Sequence, residues 1–345
     1  MFWDIFYSIL LLLTGIGVFL VGIVKFSNFL QAESNQKIKG LFEKMGNNRM
    51  VGFGVGTAAT TVIQSSTATT VIIVGLVNAG VMTLAQSTAV IFGANVGTAI
   101  SSMFLALSAF RIKYFFMFLT FIGAFTKLVT KKPKLHKISD VMIAFGVIFL
   151  GLEVMSMAFA GNPELTAGFE RMIYAASFPL VLVFIGFMIT AIIQSSTAAT
   201  AIFITLAANG MLGFHEIMFL VVGAMLGTTI TTLIAAIGSS QNAKRAAVTH
   251  FLFNLFGAIL FLPILWVFSG YFVSFFEGLI SNPVWQIAVF SLMLKLATAI
   301  TLLFFIRPMT ALTYKVIKEK PEQLTMEEIA IHDDHEMHHG FTEKF

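Results

Sequence analysis

The residues of this chain best equipped for chemistry are two tetrapeptides, Gln64-Ser65-Ser66-Thr67 and Gln194-Ser195-Ser196-Thr197, 130 residues apart. Each supplies an amide that donates and accepts and three hydroxyls that do both, without a formal charge. Facing each other, two such sets form a cage of neutral dipoles that holds an oxyanion and still lets it leave. Where a helix breaks, amides at the new N-terminus favour anions, and freed carbonyls beside hydroxyls suit a hard cation such as Na⁺. A lone Ser-Ser pair would mean only that small residues let helices pack closely; the recurrence is what argues for a site. Other constellations are weaker. No serine has a His and an Asp at plausible depth, so no enzyme activity is expected. Zero Cys removes thiol chemistry. The tail run His332-Asp333-Asp334-His335-Glu336-Met337-His338-His339 reads as a solvated segment with incidental metal affinity.

The recurrence extends beyond the tetrapeptides. At the same offset Gly80 meets Gly210, and Gly93-Ala94-x-x-Gly97-Thr98 meets Gly223-Ala224-x-x-Gly227-Thr228; residues 64–102 match 194–232 at 14 of 39 positions without a gap. Two motifs in register mean duplication. The threonines near the second motif pair (Thr98; Thr228 and Thr229) are candidate cation ligands or packing residues. The copies differ at one polar position, Asn95 against Met225.

The elements that must position these residues follow from composition. The chain has 345 residues, 57% hydrophobic and 11% charged, with 38 Phe. A soluble domain carries about 25% charged residues. A water-soluble enzyme, a nucleic-acid binder and a disordered chain are excluded, leaving an all-α polytopic membrane protein. Apolar runs of spanning length lie at about 6–29, 84–107, 114–129, 141–159, 217–237, 248–268 and 284–306. Residues 51–79 and 178–208 are apolar but interrupted, and are expected to dip in and return as re-entrant hairpins of broken helices. The basic loops at 31–49, 131–137, 244–245 and 307–320 then share one face, with Arg111 and Lys113 as exceptions. The positive-inside rule puts the N-terminus outside and the C-terminus in the cytoplasm. The tail from Glu319 onward carries a net charge of −6 and the rest +10.

With three crossings between equivalent points, the copies run in opposite directions. The expected organisation is a first inverted repeat at 1–137, a second at 138–282, an additional transmembrane helix at 283–315 and an acidic, His-containing cytoplasmic tail at 316–345. Inverted-topology repeats with interrupted segments at matching positions are the signature of alternating-access secondary transport, with the site near the membrane midplane.

On these residues the chain resembles the sodium/phosphate cotransporter family, type II proteins and their bacterial relatives. That family carries two Gln-Ser-Ser-Ser-like motifs, each followed by Gly-(Ala/Ser)-Asn-(Ile/Leu)-Gly-Thr, and the likeness covers about residues 5–310. It implies a multi-pass protein of the cell membrane that carries inorganic phosphate with Na⁺ as coupling ion and needs no cofactor. The implied phosphate ligands are Gln64, Ser65, Ser66, Gln194, Ser195 and Ser196; the implied Na⁺ ligands are Thr67, Asn95, Thr98, Thr197, Thr228 and Thr229. The expected partners are phosphate, Na⁺ and the lipid bilayer, with a homo-oligomer and a soluble regulator of phosphate uptake as further candidates; nucleic acid is not among them. Thr in place of the fourth Ser keeps the hydroxyl, whereas Met225 removes one polar contact. Phosphate export, transport of another oxyanion and a non-transporting phosphate sensor are the alternatives.

Five other residues are notable. Lys295 falls mid-span, where a charge is a functional suspect, although snorkelling or pairing with Glu277 or Glu153 would also accommodate it. Glu153 and Lys25 read as anchors at span ends. His250 and Asn254 share a helix face at i, i+4 and read as interior packing.

Overall fold

The computed structural model describes residues 2–44, 48–160 and 175–318, with 167, 168, 171 and 173 between the last two stretches. The acidic connection at Pro163, Glu164 and Glu170 and the tail from Glu319 lie outside the described residues. Those described form helices and turns, without strands. In chain order the helices are α1 (Phe2–Lys44), α2 (Arg49–Ile63), α3 (Ser66–Asn78), α4 (Leu84–Leu105), α5 (Ile112–Val129), α6 (Pro133–Ala160), α7 (Pro179–Ile193), α8 (Ser196–Ala208), α9 (Phe214–Ala235), α10 (Gln241–Val267), α11 (Ser269–Leu279), α12 (Pro283–Leu303) and α13 (Ile306–Val316).

Seven helices among the described residues are long and apolar enough to cross a membrane: α1, α4, α5, α6, α9, α10 and α12. They coincide with the seven apolar runs of the sequence, and the chain is a multi-pass membrane protein. Their ends differ from expectation. Helix α1 continues through the polar stretch to Lys44, and α6 starts at Pro133, inside the basic loop. Proline at a helix start costs no hydrogen bond and presets φ. Residues 269–282, between the last two apolar runs, contain α11, and the basic stretch at 307–320, expected as a loop, holds most of α13. On α13, Ile306, Met309 and Thr313 are buried on one face while Arg307 and Lys315 are exposed, the pattern of a short amphipathic helix.

The interrupted segments are each two short helices around a break. Helices α2 and α7 have 15 residues, α3 and α8 have 13. At 1.5 Å per residue they reach about 20–22 Å, less than the hydrocarbon thickness of about 30 Å. The bounds of α2, α3 and α4 recur in α7, α8 and α9 at an offset of 130.

The Gly-Ala-x-x-Gly-Thr motifs explain how each broken pair is held. A Cβ added to Gly93 would lie 1.9 Å from the Phe53 carbonyl oxygen, and one on Gly223 would lie 2.0 Å from that of Val183. Gly97 and Gly227 repeat the approach one turn later, each 2.5 Å from a carbonyl of the facing helix. Backbone touches backbone, so α4 is locked to α2 and α9 to α7. Thr57 Oγ1 sits 3.1 Å from the Gly93 carbonyl across the first interface; its counterpart in the second copy is Phe187.

Side-chain links gather the helix ends. Lys137 pairs with Glu33, and Lys127 with Asp140. Asn78 Oδ1, at the end of α3, accepts from the Ser240 amide at 2.8 Å. Arg245 donates to the Ile317 carbonyl at 3.0 Å and lies 3.9 Å over the Tyr314 ring. Away from these ends, Lys113 pairs with Glu153 at 2.7 Å, and Asn209 after α8 bonds Ser156 at 3.0 Å.

Candidate functional site

Each break is built by the same local chemistry. Helix α2 stops at Gln64, whose backbone turns left-handed (φ 60°, ψ 20°), and α7 stops at Gln194 likewise (φ 58°, ψ 24°). These glutamines are the only non-glycine residues with positive φ among the described residues. A left-handed L-residue costs about 1–2 kcal/mol, so the chain carries the same strain at both matching points. The next residue is extended and caps the following helix: Ser65 Oγ accepts from the Ala68 amide at 3.1 Å, and Ser195 Oγ from the Ala198 amide at 3.2 Å. Serine suits an N-cap because its short hydroxyl reaches back to an amide without a helical partner.

The two breaks meet. One cavity of about 330 Å³ is lined by Gln64, Ser65, Ser66 and Thr67 from one side and by Gln194, Ser195, Ser196 and Thr197 from the other. The first turns of α3 and α8 therefore both open at it, and a helix start carries partial positive charge from its unpaired amides. The two sides are not alike in exposure. Gln64 is buried and bonds the Thr61 carbonyl through Nε2, whereas Gln194 is exposed. Ser66, Ser196 and Thr197 are buried, and Ser65, Thr67 and Ser195 half-buried.

A third wall comes from α1 and was missed by sequence reasoning. Ser27, Asn28 and Gln31 line the cavity, and Ser27 Oγ donates to the Ile63 carbonyl at 2.9 Å, satisfying a carbonyl at the end of α2. Three polar residues at i, i+1 and i+4 on an apolar span were the available signal. The interruption of the tetrapeptides was the louder one.

The remaining candidates lie elsewhere. Asn95, Thr98, Thr228 and Thr229 are buried but do not line this cavity. The Thr98 hydroxyl donates to the Ala94 carbonyl at 3.0 Å and the Thr229 hydroxyl to that of Leu226 at 2.7 Å, the usual bond of a helical threonine. Asn95 enters a buried polar network. Its Oδ1 lies 3.2 Å from His250 Nε2 and 3.4 Å from Asn254 Nδ2, and its Nδ2 donates to the Ile91 carbonyl. With Asn95 presenting oxygen, His250 carries its hydrogen on Nε2, and Nδ1, 3.0 Å from Thr232 Oγ1, accepts from that hydroxyl. His250 and Asn254 thus do more than pack: they tie α10 to α4 and α9. Glu153 is engaged by Lys113, so it is not the partner of Lys295, which is buried on α12 without an ion pair among the described residues.

With this geometry fixed, comparison with known proteins adds the following. The sequence model of the family described as "Na+/Pi-cotransporter" matches residues 18–157 and 166–307. "Uncharacterized protein YqeW" of Bacillus subtilis (strain 168) is 28% identical over 299 residues, 87% of this chain and 94% of that protein. "Putative inorganic phosphate export protein YjbB" of Escherichia coli (strain K12) is 27% identical over 289 residues, 83% of this chain but 51% of that protein, so the chain spans about half of its length. "Sodium-dependent phosphate transport protein 2A" of Mus musculus is 29% identical over 147 residues, 40% of this chain and 23% of that protein. No solved structure matches significantly.

Proposed function

We propose, from the premise that this chain belongs to the Na⁺/Pi-cotransporter family, that it carries inorganic phosphate across the cell membrane, coupled to Na⁺, by alternating access. The observation that carries the reading is the meeting of Gln64–Thr67 and Gln194–Thr197 at one cavity. Phosphate would accept hydrogen bonds from the glutamine amides and serine hydroxyls of both breaks, with two helix starts favouring its charge. Thr67 and Thr197, beside them, would give hydroxyl oxygens to Na⁺. Sharing one cage lets each solute improve the binding of the other, which is what coupling requires. Neutral dipoles suit a carrier because release must follow binding.

In this reading the breaks are re-entrant. Their helices fall short of a full crossing, and Asn78 at the end of α3 bonds Ser240 beside the basic pair Lys244 and Arg245. The basic ends would face the cytoplasm and the N-terminus the outside. The repeats at 1–137 and 138–282 would then be inverted relative to each other.

The direction of net movement is open to a second reading, favoured by the exporter name of the Escherichia coli relative. The test is radiolabelled phosphate flux in liposomes holding the purified full-length chain, with Na⁺ gradients imposed in either direction. Flux that follows the Na⁺ gradient supports symport. Phosphate leaving its loaded side with no response to Na⁺ replaces symport by export. Binding without flux makes the protein a sensor.

A further inference from the structure

A second cavity, of about 770 Å³, lies far along the chain from the tetrapeptides, between α10, α12 and α13. Its floor is apolar, including Phe256, Leu260, Leu302, Met309 and Leu312, and Lys315 is the one charged residue at its edge. The wall formed by α13 is fixed. Thr310 sits 3.3 Å from Thr88 on α4, while Arg245 on α10 stacks on Tyr314 and bonds the Ile317 carbonyl. A groove with a held wall keeps its shape without being filled by side chains of its own. Three cations, Arg307, Lys315 and Lys318, lie on or just beyond α13, and no acid lies among its residues 306–316.

An amphipathic helix with this charge rests at the membrane surface. The groove therefore begins at headgroup level, where Lys315 stands, and runs inward beside spanning helices. Its occupant must be oily over most of its length and negative at one end. We propose that this groove is a binding site for an anionic phospholipid, with acyl chain against Phe256, Leu302 and Met309 and headgroup phosphate at the Lys315 ammonium. Basic pockets between spanning helices recognise anionic headgroups in this way, each lysine contributing about fivefold in affinity. Helix α13 packs on α4, the helix locked to α2, so a lipid held here would brace the first broken pair.

The experiment is native mass spectrometry of the full-length protein, delipidated in detergent and titrated with phosphatidylglycerol or phosphatidylcholine of equal chain length. The wild type should hold phosphatidylglycerol about fivefold more tightly. Lys315→Gln should bring the two lipids level, Lys315→Arg should keep the preference, and Leu312→Trp, which fills the groove, should remove one bound lipid of either kind. Lys315 is exposed, so neither substitution there disturbs packing; gel filtration verifies the folded state of Leu312→Trp. Equal retention of both lipids by the wild type, or an undiminished preference in Lys315→Gln, overturns the proposal. So does cross-linking of the acidic segment 319–345 into the groove, which would make that segment the occupant.

Discussion

Replacing Gln194 by glycine separates the two roles that its position combines. The left-handed backbone (φ 58°) strains any L-residue there, by about 1–2 kcal/mol, and glycine removes that strain. Glycine also gives the unfolded chain more freedom, which takes back about 0.5–1 kcal/mol. Gln194 is exposed and has no side-chain bond among the described residues, so little else is lost. The net expectation is that Gln194→Gly is more stable by roughly 0.5–1 kcal/mol, a rise of about 1 °C in unfolding temperature for a chain of this size. At Gln64 the amide bonds the Thr61 carbonyl, and losing that bond costs about 1 kcal/mol. Gln64→Gly should therefore be close to neutral. Both variants delete an amide from the cavity and should lose phosphate flux. The assay is thermal unfolding in detergent beside flux in liposomes, with Gln194→Ala as the variant that keeps the strain but lacks the amide. Wild-type flux in Gln194→Gly would show that the glutamine serves only the backbone. A Gln194→Gly protein less stable than Gln194→Ala would refute the strain argument itself.

Two further expectations concern the frame around the site. Gly93→Ala and Gly223→Ala each push a methyl into a carbonyl within 2.0 Å, so each should cost about 1–3 kcal/mol or prevent folding, read as lost monodisperse protein; Gly54→Ala, inside α2 with open space around its Cβ, should instead stabilise by about 0.5–1 kcal/mol. Asn95→Ala strips acceptors from His250 and Asn254 and should cost about 1–3 kcal/mol in unfolding assays; if the Na⁺ dependence of flux also shifts, Asn95 serves the cation as well, and if stability is unchanged the network argument fails.

The all-α membrane class, the seven spans and the two breaks could be read from the chain because each depends on local composition. A span must be apolar over about twenty residues, and a Gln-Ser-Ser-Thr break interrupts that pattern where the backbone turns. Duplication is itself a sequence property. What sequence could not assign was the division of labour between the motifs. The Gly-Ala-x-x-Gly-Thr motifs read equally as sources of cation ligands or as packing, and the missing side chains of Gly93, Gly97, Gly223 and Gly227 admit a neighbouring backbone, a relation visible only once two helices are placed together. Asn95, an implied cation ligand by its motif, also bonds His250, because the rotation of α4 against α10 decides which way its amide points. Ser27, Asn28 and Gln31 joined the cavity for the same reason: α1 reaches it from far away in the chain. Local composition fixes which segments bury themselves in lipid and where they break, since those choices are made residue by residue against the solvent. Which polar groups then face one another is set by how whole helices rotate and slide to fit their neighbours, and that depends on the entire packed assembly.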